Sequence, residues 1–165
     1  MKYFYMYEST DDVDANKFIE FINTNPDGEL TVYINNYGGM NTGGWIMSDL
    51  INANKDRITL VAVGIIASNA FRVFFRAKCK RVIAPFTQGM MHFSSKKVTL
   101  CENGGPLYFE DQEAIRNMKA EAPITERWCK EIGMNEKEIR KMKRVEDVWF
   151  STERLQELLA FSENN

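Results

Sequence analysis

A single histidine, four prolines and three cysteines leave this chain of 165 residues few routes to chemistry. Cys79, Cys101 and Cys129 are odd in number and widely spaced. They build no disulfide framework, and free thiols of this kind suggest a reducing, cytoplasmic compartment. There is no Cys-x-x-Cys, and one histidine is too few for an ordinary zinc site, so no metal ligand set is expected. Basic residues are not in excess: 21 Lys and Arg stand against 23 Asp and Glu, a net charge of -2. A general nucleic-acid binder carries the opposite balance. No run of eighteen apolar residues occurs, so no transmembrane helix and no membrane partner are expected. Residues 1–8 are apolar and aromatic, but no small-residue cleavage site follows. They read as a first strand, not as a signal peptide. No internal repeat and no low-complexity segment is visible.

What remains is an ordinary globular composition, 44% hydrophobic and 27% charged. It suffices for one domain with a core and hardly for two. The first half alternates strand and helix signals. Lys2 to Tyr7 is strand-like. Thr10, Asp11 and Asp12 offer caps to a helix with Ala15, Phe18, Ile19 and Ile22 on its apolar side. Asn25-Pro26-Asp27-Gly28 is a turn. A strand from Leu30 to Ile34 leads to the Gly38-Gly39 turn and a helix from Trp45 to Ala53. A buried strand from Ile58 to Val63 precedes a helix from Asn69 to about Lys78, and Arg81 to Ala84 is a short strand. Strands separated by helices of this length predict βαβ units and a mostly parallel sheet.

The second half differs. Residues 96–108 contain Asn103-Gly104-Gly105-Pro106 and read as a loop or hairpin-like excursion. Glu110 to about Arg144 is charged and helical, with interruptions expected at Pro123 and Gly133. Ile115, Met118 and Ala122 share one face, and Trp128 and Ile132 another. That apolar stripe argues for oligomerisation. A final helix carries Leu155, Leu158, Leu159 and Phe161, and residues 162–165 read as a frayed end.

Ser68 is the residue that points to chemistry. It falls where the strand ending near Val63 gives way to a helix, beside helix N-terminal amides that stabilise a developing oxyanion. A serine hydroxyl needs a base to attack at neutral pH, and His92 is the one imidazole available. A carboxylate must hold that imidazole in the right tautomer; Asp147, Glu146, Asp111 and Glu110 are the candidates. The Gly38-Gly39 turn adds an oxyanion site, with the amides of Gly39 and of Asn69, the residue after the nucleophile, aimed at one substrate oxygen. Glycine there lets a substrate approach the backbone.

Several segments together resemble the proteolytic subunit of the Clp protease, within the ClpP/crotonase superfamily. Val32-Tyr33-Ile34-Asn35-Asn36-Tyr37-Gly38-Gly39 is similar to the family's YINSPGG turn. Ala67-Ser68-Asn69-Ala70 resembles its AASMG nucleophile segment. Lys80-Arg81-Val82-Ile83-Ala84-Pro85, running on to Met91-His92, resembles the segment that bears the histidine. Asp147-Val148-Trp149-Phe150-Ser151 is similar to the stretch whose aspartate completes the triad.

The resemblance implies an α/β fold of repeated ββα units, one domain over residues 1–165. Its head would be residues 1–95 and 145–165, and its protruding handle about 96–144. It implies a serine endopeptidase with Ser68, His92 and Asp147 catalytic, Gly39 and Asn69 forming the oxyanion hole, and Gly38 and Met40 binding substrate. No cofactor is required. The implied partners are a peptide substrate and further copies of the chain in a ring, a hexamer, heptamer or double ring.

The departures carry expectations of their own. The family's N-terminal segment, which forms axial loops, is missing ahead of the first strand, so an ATP-driven unfoldase is the least supported partner. Tyr37 replaces a turn proline, and Asn69-Ala70-Phe71-Arg72 puts bulk and charge beside the nucleophile. Glu146 replaces an arginine that couples rings. Such a short variant suits a bacterial or phage-infected cell. The rival readings are a catalytically silent subunit of this fold, a phage head-maturation protease and, further off, a crotonase-type acyl-CoA enzyme.

Overall fold

The computed structural model describes residues 2–94, 101 and 109–164. The expected excursion at residues 96–108 lies outside the described residues, Cys101 apart. In chain order the elements are β1 (Lys2–Glu8), α1 (Asp12–Thr24), β2 (Leu30–Asn36), α2 (Asn41–Ala53), β3 (Ile58–Ala67) and α3 (Asn69–Arg76). Then follow β4 (Lys80–Ile83), β5 (Gln88–Met91), α4 (Phe109–Glu131), α5 (Glu136–Lys143), β6 (Val148–Phe150) and α6 (Thr152–Asn164). Among the described residues the strands form one sheet in the order β1-β2-β3-β5-β6, with β4 also paired to β3. The pairings β1–β2, β2–β3, β3–β4 and β3–β5 are all parallel, as the alternation of strands and helices predicts. The chain divides into two units, Met1–Met91 with Trp149–Asn164, and His92–Val148.

In the first unit, strand periodicity decides what is inside. Along β1, Met6 is buried, while Tyr3, Tyr5 and Tyr7 on the alternate positions are exposed. Phe4 meets Phe18 and Phe21 of α1 at ring separations of 5.0 and 5.3 Å. Val32, Ile34, Leu60, Ala62 and Ile66 continue the core, with Met47 and Ile51 from α2 and Phe71 and Phe74 from α3. Each such large side chain, taken fully out of water, contributes about 1.5–3 kcal/mol. On the opposite positions Tyr5 stacks on Tyr33 at 5.3 Å. Trp45 and Trp149 are also exposed, at 44% and 55%.

Two expected boundaries move. β3 runs on through Gly64 to Ala67, because Gly64 adopts a φ of 65° and the register against β2 shifts between Ile34 and Asn36. Asn35 Oδ1 accepts from Ile65 N at 3.0 Å and keeps the irregular stretch bonded. α6 does not fray at Ser162 but continues to Asn164. Arg81 explains this: its guanidinium donates to Ser162 Oγ at 3.3 Å and to Glu163 Oε1 at 3.4 Å.

In the second unit, α4 passes through Pro123 without the expected break. Pro123 removes one amide and crowds the preceding turn. It sits on the exposed face, where water can serve the carbonyl that loses its donor. Gly133, with a φ of 90°, does end the helical run. Asn135 then starts α5 with a capping box, its side chain accepting from Glu138 N while Glu138 accepts from Asn135 N. Glu126 receives Lys143 Nζ at 2.8 Å and Lys130 Nζ at 3.3 Å. These bonds, that from Lys143 above all, hold its carboxyl below the usual glutamate range.

Candidate active site

Ser68 occupies the single position between β3 and α3, with φ 52° and ψ -116°. A residue with a β-carbon rarely adopts this backbone, and holding it there costs on the order of 1–3 kcal/mol. Its amide donates to Met90 O at 2.8 Å, and its side chain makes no capping bond to α3. Asn69 is the first residue of α3, so its amide has no intrahelical acceptor.

The Gly38-Gly39 turn is fitted to this junction. A β-carbon on Gly38 would come within 2.7 Å of Ala67 O and 2.8 Å of both Asn69 N and Ser68 Cβ. Gly38 is buried, and its own amide donates to Asn36 Oδ1 at 2.7 Å. Gly39 is exposed, and its amide makes no hydrogen bond among the described residues. Met40 is exposed and stands at the N-cap of α2.

Asn69 and Arg72 do not place bulk and charge in the open. Both are buried. Asn69 Nδ2 donates to Thr10 Oγ1 at 3.0 Å and to Met40 O at 2.6 Å, and its amide group packs on Gly44. Thr10 in turn donates its amide to Gly38 O at 2.8 Å. One asparagine therefore ties the residue after Ser68 to both the glycine turn and the chain between β1 and α1. Sequence reasoning gave Thr10 only a capping role. The helix cap is Asp11, whose carboxylate accepts from Asp14 N at 3.0 Å. Asn69→Ala should destabilise the fold by about 1–3 kcal/mol, since it removes the donor to the buried Thr10 hydroxyl and to the part-buried Met40 carbonyl. Urea denaturation measures this, and an unchanged midpoint would refute the clamp.

In the second unit His92 Nδ1 lies 3.2 Å from Asp147 Oδ1. Of the four carboxylates compatible with the sequence, the structure brings this one to the imidazole. Glu146 instead takes Arg144 Nε at 3.1 Å, and Asp111 is buried in the first turn of α4. A proton held on Nδ1 by the carboxylate leaves the Nε2 lone pair to act as a base.

Ala67 of β3 pairs with Met90 of β5 in parallel register; Ser68 follows the end of β3 in the chain, and His92 the end of β5. Asp147 immediately precedes β6. Two of the three thiols are withdrawn from the surface. Cys79 and Cys129 are buried, and burial raises the Cys79 thiol above its ordinary value. Among the described residues no group of His, Cys, Asp and Glu is placed to hold a metal ion, and no helix is long and apolar enough to cross a membrane. A family model described as Clp protease matches residues 3–157 of the chain.

Proposed function

Since the chain belongs to the Clp protease family, we propose that it is a serine endopeptidase acting on extended peptides or unfolded protein. The observation that carries this reading is the backbone of Ser68, held at φ 52° at the strand-to-helix junction. Structural strain of that kind persists where the surroundings over-determine it, which is the usual circumstance of a functional residue.

Ser68 Oγ attacks the scissile carbonyl and becomes the acyl carrier. His92 Nε2 takes the serine proton and then delivers it to the leaving amine, while Asp147 keeps Nδ1 protonated and stabilises the imidazolium. The Gly39 and Asn69 amides hold the tetrahedral oxyanion, a contribution usually worth about 10²–10³ in rate per donor. The acyl-enzyme is released by water, activated in the same way. Gly38 supports substrate binding by keeping the turn close to Ser68, and Met40 flanks the peptide. The working form is a homo-oligomeric ring, in which the exposed aromatic side chains of the first unit become covered.

The test is covalent labelling with a fluorophosphonate, read by intact mass and peptide mapping. One adduct at Ser68, lost in Ser68→Ala and slowed in His92→Ala, is the expected result. A folded protein that takes no adduct would refute the mechanism and favour a silent subunit of the same fold.

A further inference from the structure

Thr10 lies between β1 and α1 and is fully buried. Its backbone and its side chain serve different partners, all within the first unit. The amide donates to Gly38 O at 2.8 Å. The hydroxyl accepts from Asn69 Nδ2 at 3.0 Å. The carbonyl packs on the start of α2, where a β-carbon on Gly43 would lie 2.5 Å from Thr10 O.

The first bond sets the direction of a neighbouring amide. In a trans peptide the carbonyl and the N–H that follows it point in opposite directions. No peptide bond among the described residues is cis. With Gly38 O turned toward Thr10, the Gly39 N–H is turned away from it. Glycine on both sides would otherwise let this peptide unit rotate readily. Asn36 Oδ1 restrains only the Gly38 amide. Among the described residues, the Thr10 amide is therefore the bond that selects one of two opposite directions for Gly39 N–H.

The second bond anchors the other amide. Asn69 is held by its side chain at Thr10 Oγ1 and Met40 O, while its backbone N–H stays available at the start of α3. Gly38 brings the two amides together, since a β-carbon on it would lie 2.8 Å from Asn69 N. Resting on the peptidase reading above, we infer that Thr10 is a positioning residue for catalysis, which holds the Gly39 and Asn69 amides in mutual register for the tetrahedral oxyanion. Such donors act only when aimed at the place where charge develops. They are called on in the transition state more than in the bound peptide, so loss of the Thr10 hydroxyl falls on kcat and spares KM.

Thr10→Val and Thr10→Ser separate this role from packing. Valine keeps the shape and loses the hydroxyl; serine keeps the hydroxyl and loses the methyl. Packing alone ranks valine above serine, and positioning ranks serine above valine. Three readouts on the full chain decide: kcat and KM for a fluorogenic peptide, the fluorophosphonate labelling rate at Ser68, and inhibition by a peptide boronate. The boronate forms a tetrahedral adduct on the serine and so reports the oxyanion site. Thr10→Val should lower kcat by about 10- to 100-fold, with KM within about twofold, because a donor misplaced by about 1 Å loses most of its effect. Labelling should slow and boronate affinity should weaken by a similar factor. Thr10→Ser should stay within about threefold of wild type in all three. A Thr10→Val protein with wild-type kcat, one more active than Thr10→Ser, or a loss confined to KM overturns the positioning role. If Thr10→Val does not fold, Asn69→Ala makes the comparison from the other end of the bond, and a wild-type labelling rate there overturns the role equally. A wild-type Ser68 that takes neither boronate nor fluorophosphonate overturns the peptidase reading, and the positioning role with it.

Discussion

Ser68→Ala is expected to lower kcat/KM for a cleaved peptide by about 10⁴- to 10⁶-fold, the loss typical of removing a serine nucleophile. The fold should survive. Alanine meets the same backbone conformation as serine, at φ 52°, and the amide bond to Met90 O is kept. Stability and activity separate further in Ser68→Gly. Glycine occupies this region without the clash of a β-carbon, so relief of strain should raise stability by about 1 kcal/mol. For a domain of this size that is a shift of about 2–4 °C in Tm. The pair of variants thus tests one claim twice: that the serine is held in an unfavourable backbone for the sake of its hydroxyl. A Ser68→Ala protein with unchanged turnover would remove the mechanism. A Ser68→Gly protein no more stable than the wild type would remove the strain argument.

Gly38→Ala is the second large effect, and it falls on both stability and function. The added β-carbon would meet Ala67 O, Asn69 N and Ser68 Cβ, all inside 3.0 Å, and two of these are backbone atoms. Backbone cannot swing aside as a side-chain end can. Overpacking of this kind costs about 1–3 kcal/mol. The φ of 97° adds about 1–2 kcal/mol for any residue with a β-carbon. Together they take a large fraction of a typical domain stability of about 5–15 kcal/mol. Whatever fold remains should have lost fluorophosphonate labelling, because relief of the clash moves the Ser68 turn. Gly28→Ala is the control. Its φ is 86°, yet nothing lies within 4 Å of the added carbon. It should therefore carry the backbone cost alone. Equal denaturation midpoints for the two variants would refute the packing argument.

Much of this was legible before any coordinates, and the reasons are local. Alternation along Lys2–Glu8 and the apolar spacing of Ala15, Phe18 and Ile22 reflect burial on one face, which periodicity reports directly. Ser68 was legible because a strand-to-helix junction is itself a local signal. Asp147 and Glu146 look alike by residue type alone, and only the resemblance of residues 147–151 to the family's stretch singled out Asp147. The extension of β3 past Gly64 escaped because a glycine in a strand reads as its end, whereas here Asn35 bonds across the irregularity. Pro123 misled in the other direction: its penalty is real, but a helix of 23 residues on an exposed face absorbs it. The Thr10–Asn69 clamp joins side chains 59 positions apart. No window of sequence contains both. Asn36 was within reach, since an asparagine two residues before a glycine often bonds that glycine's amide.

The exposed Trp45 and Trp149 have an optical consequence. Both indoles of the first unit already face solvent in the single chain, so unfolding changes their surroundings little. Tryptophan emission is then a poor gauge of unfolding for that unit, and circular dichroism is the better one. The same exposure makes emission a good gauge of association. If copies of the chain cover these rings, the spectrum moves to shorter wavelength as protein concentration rises, with no change in secondary structure. The dissociation constant of the assembly can be read from that shift without adding any label.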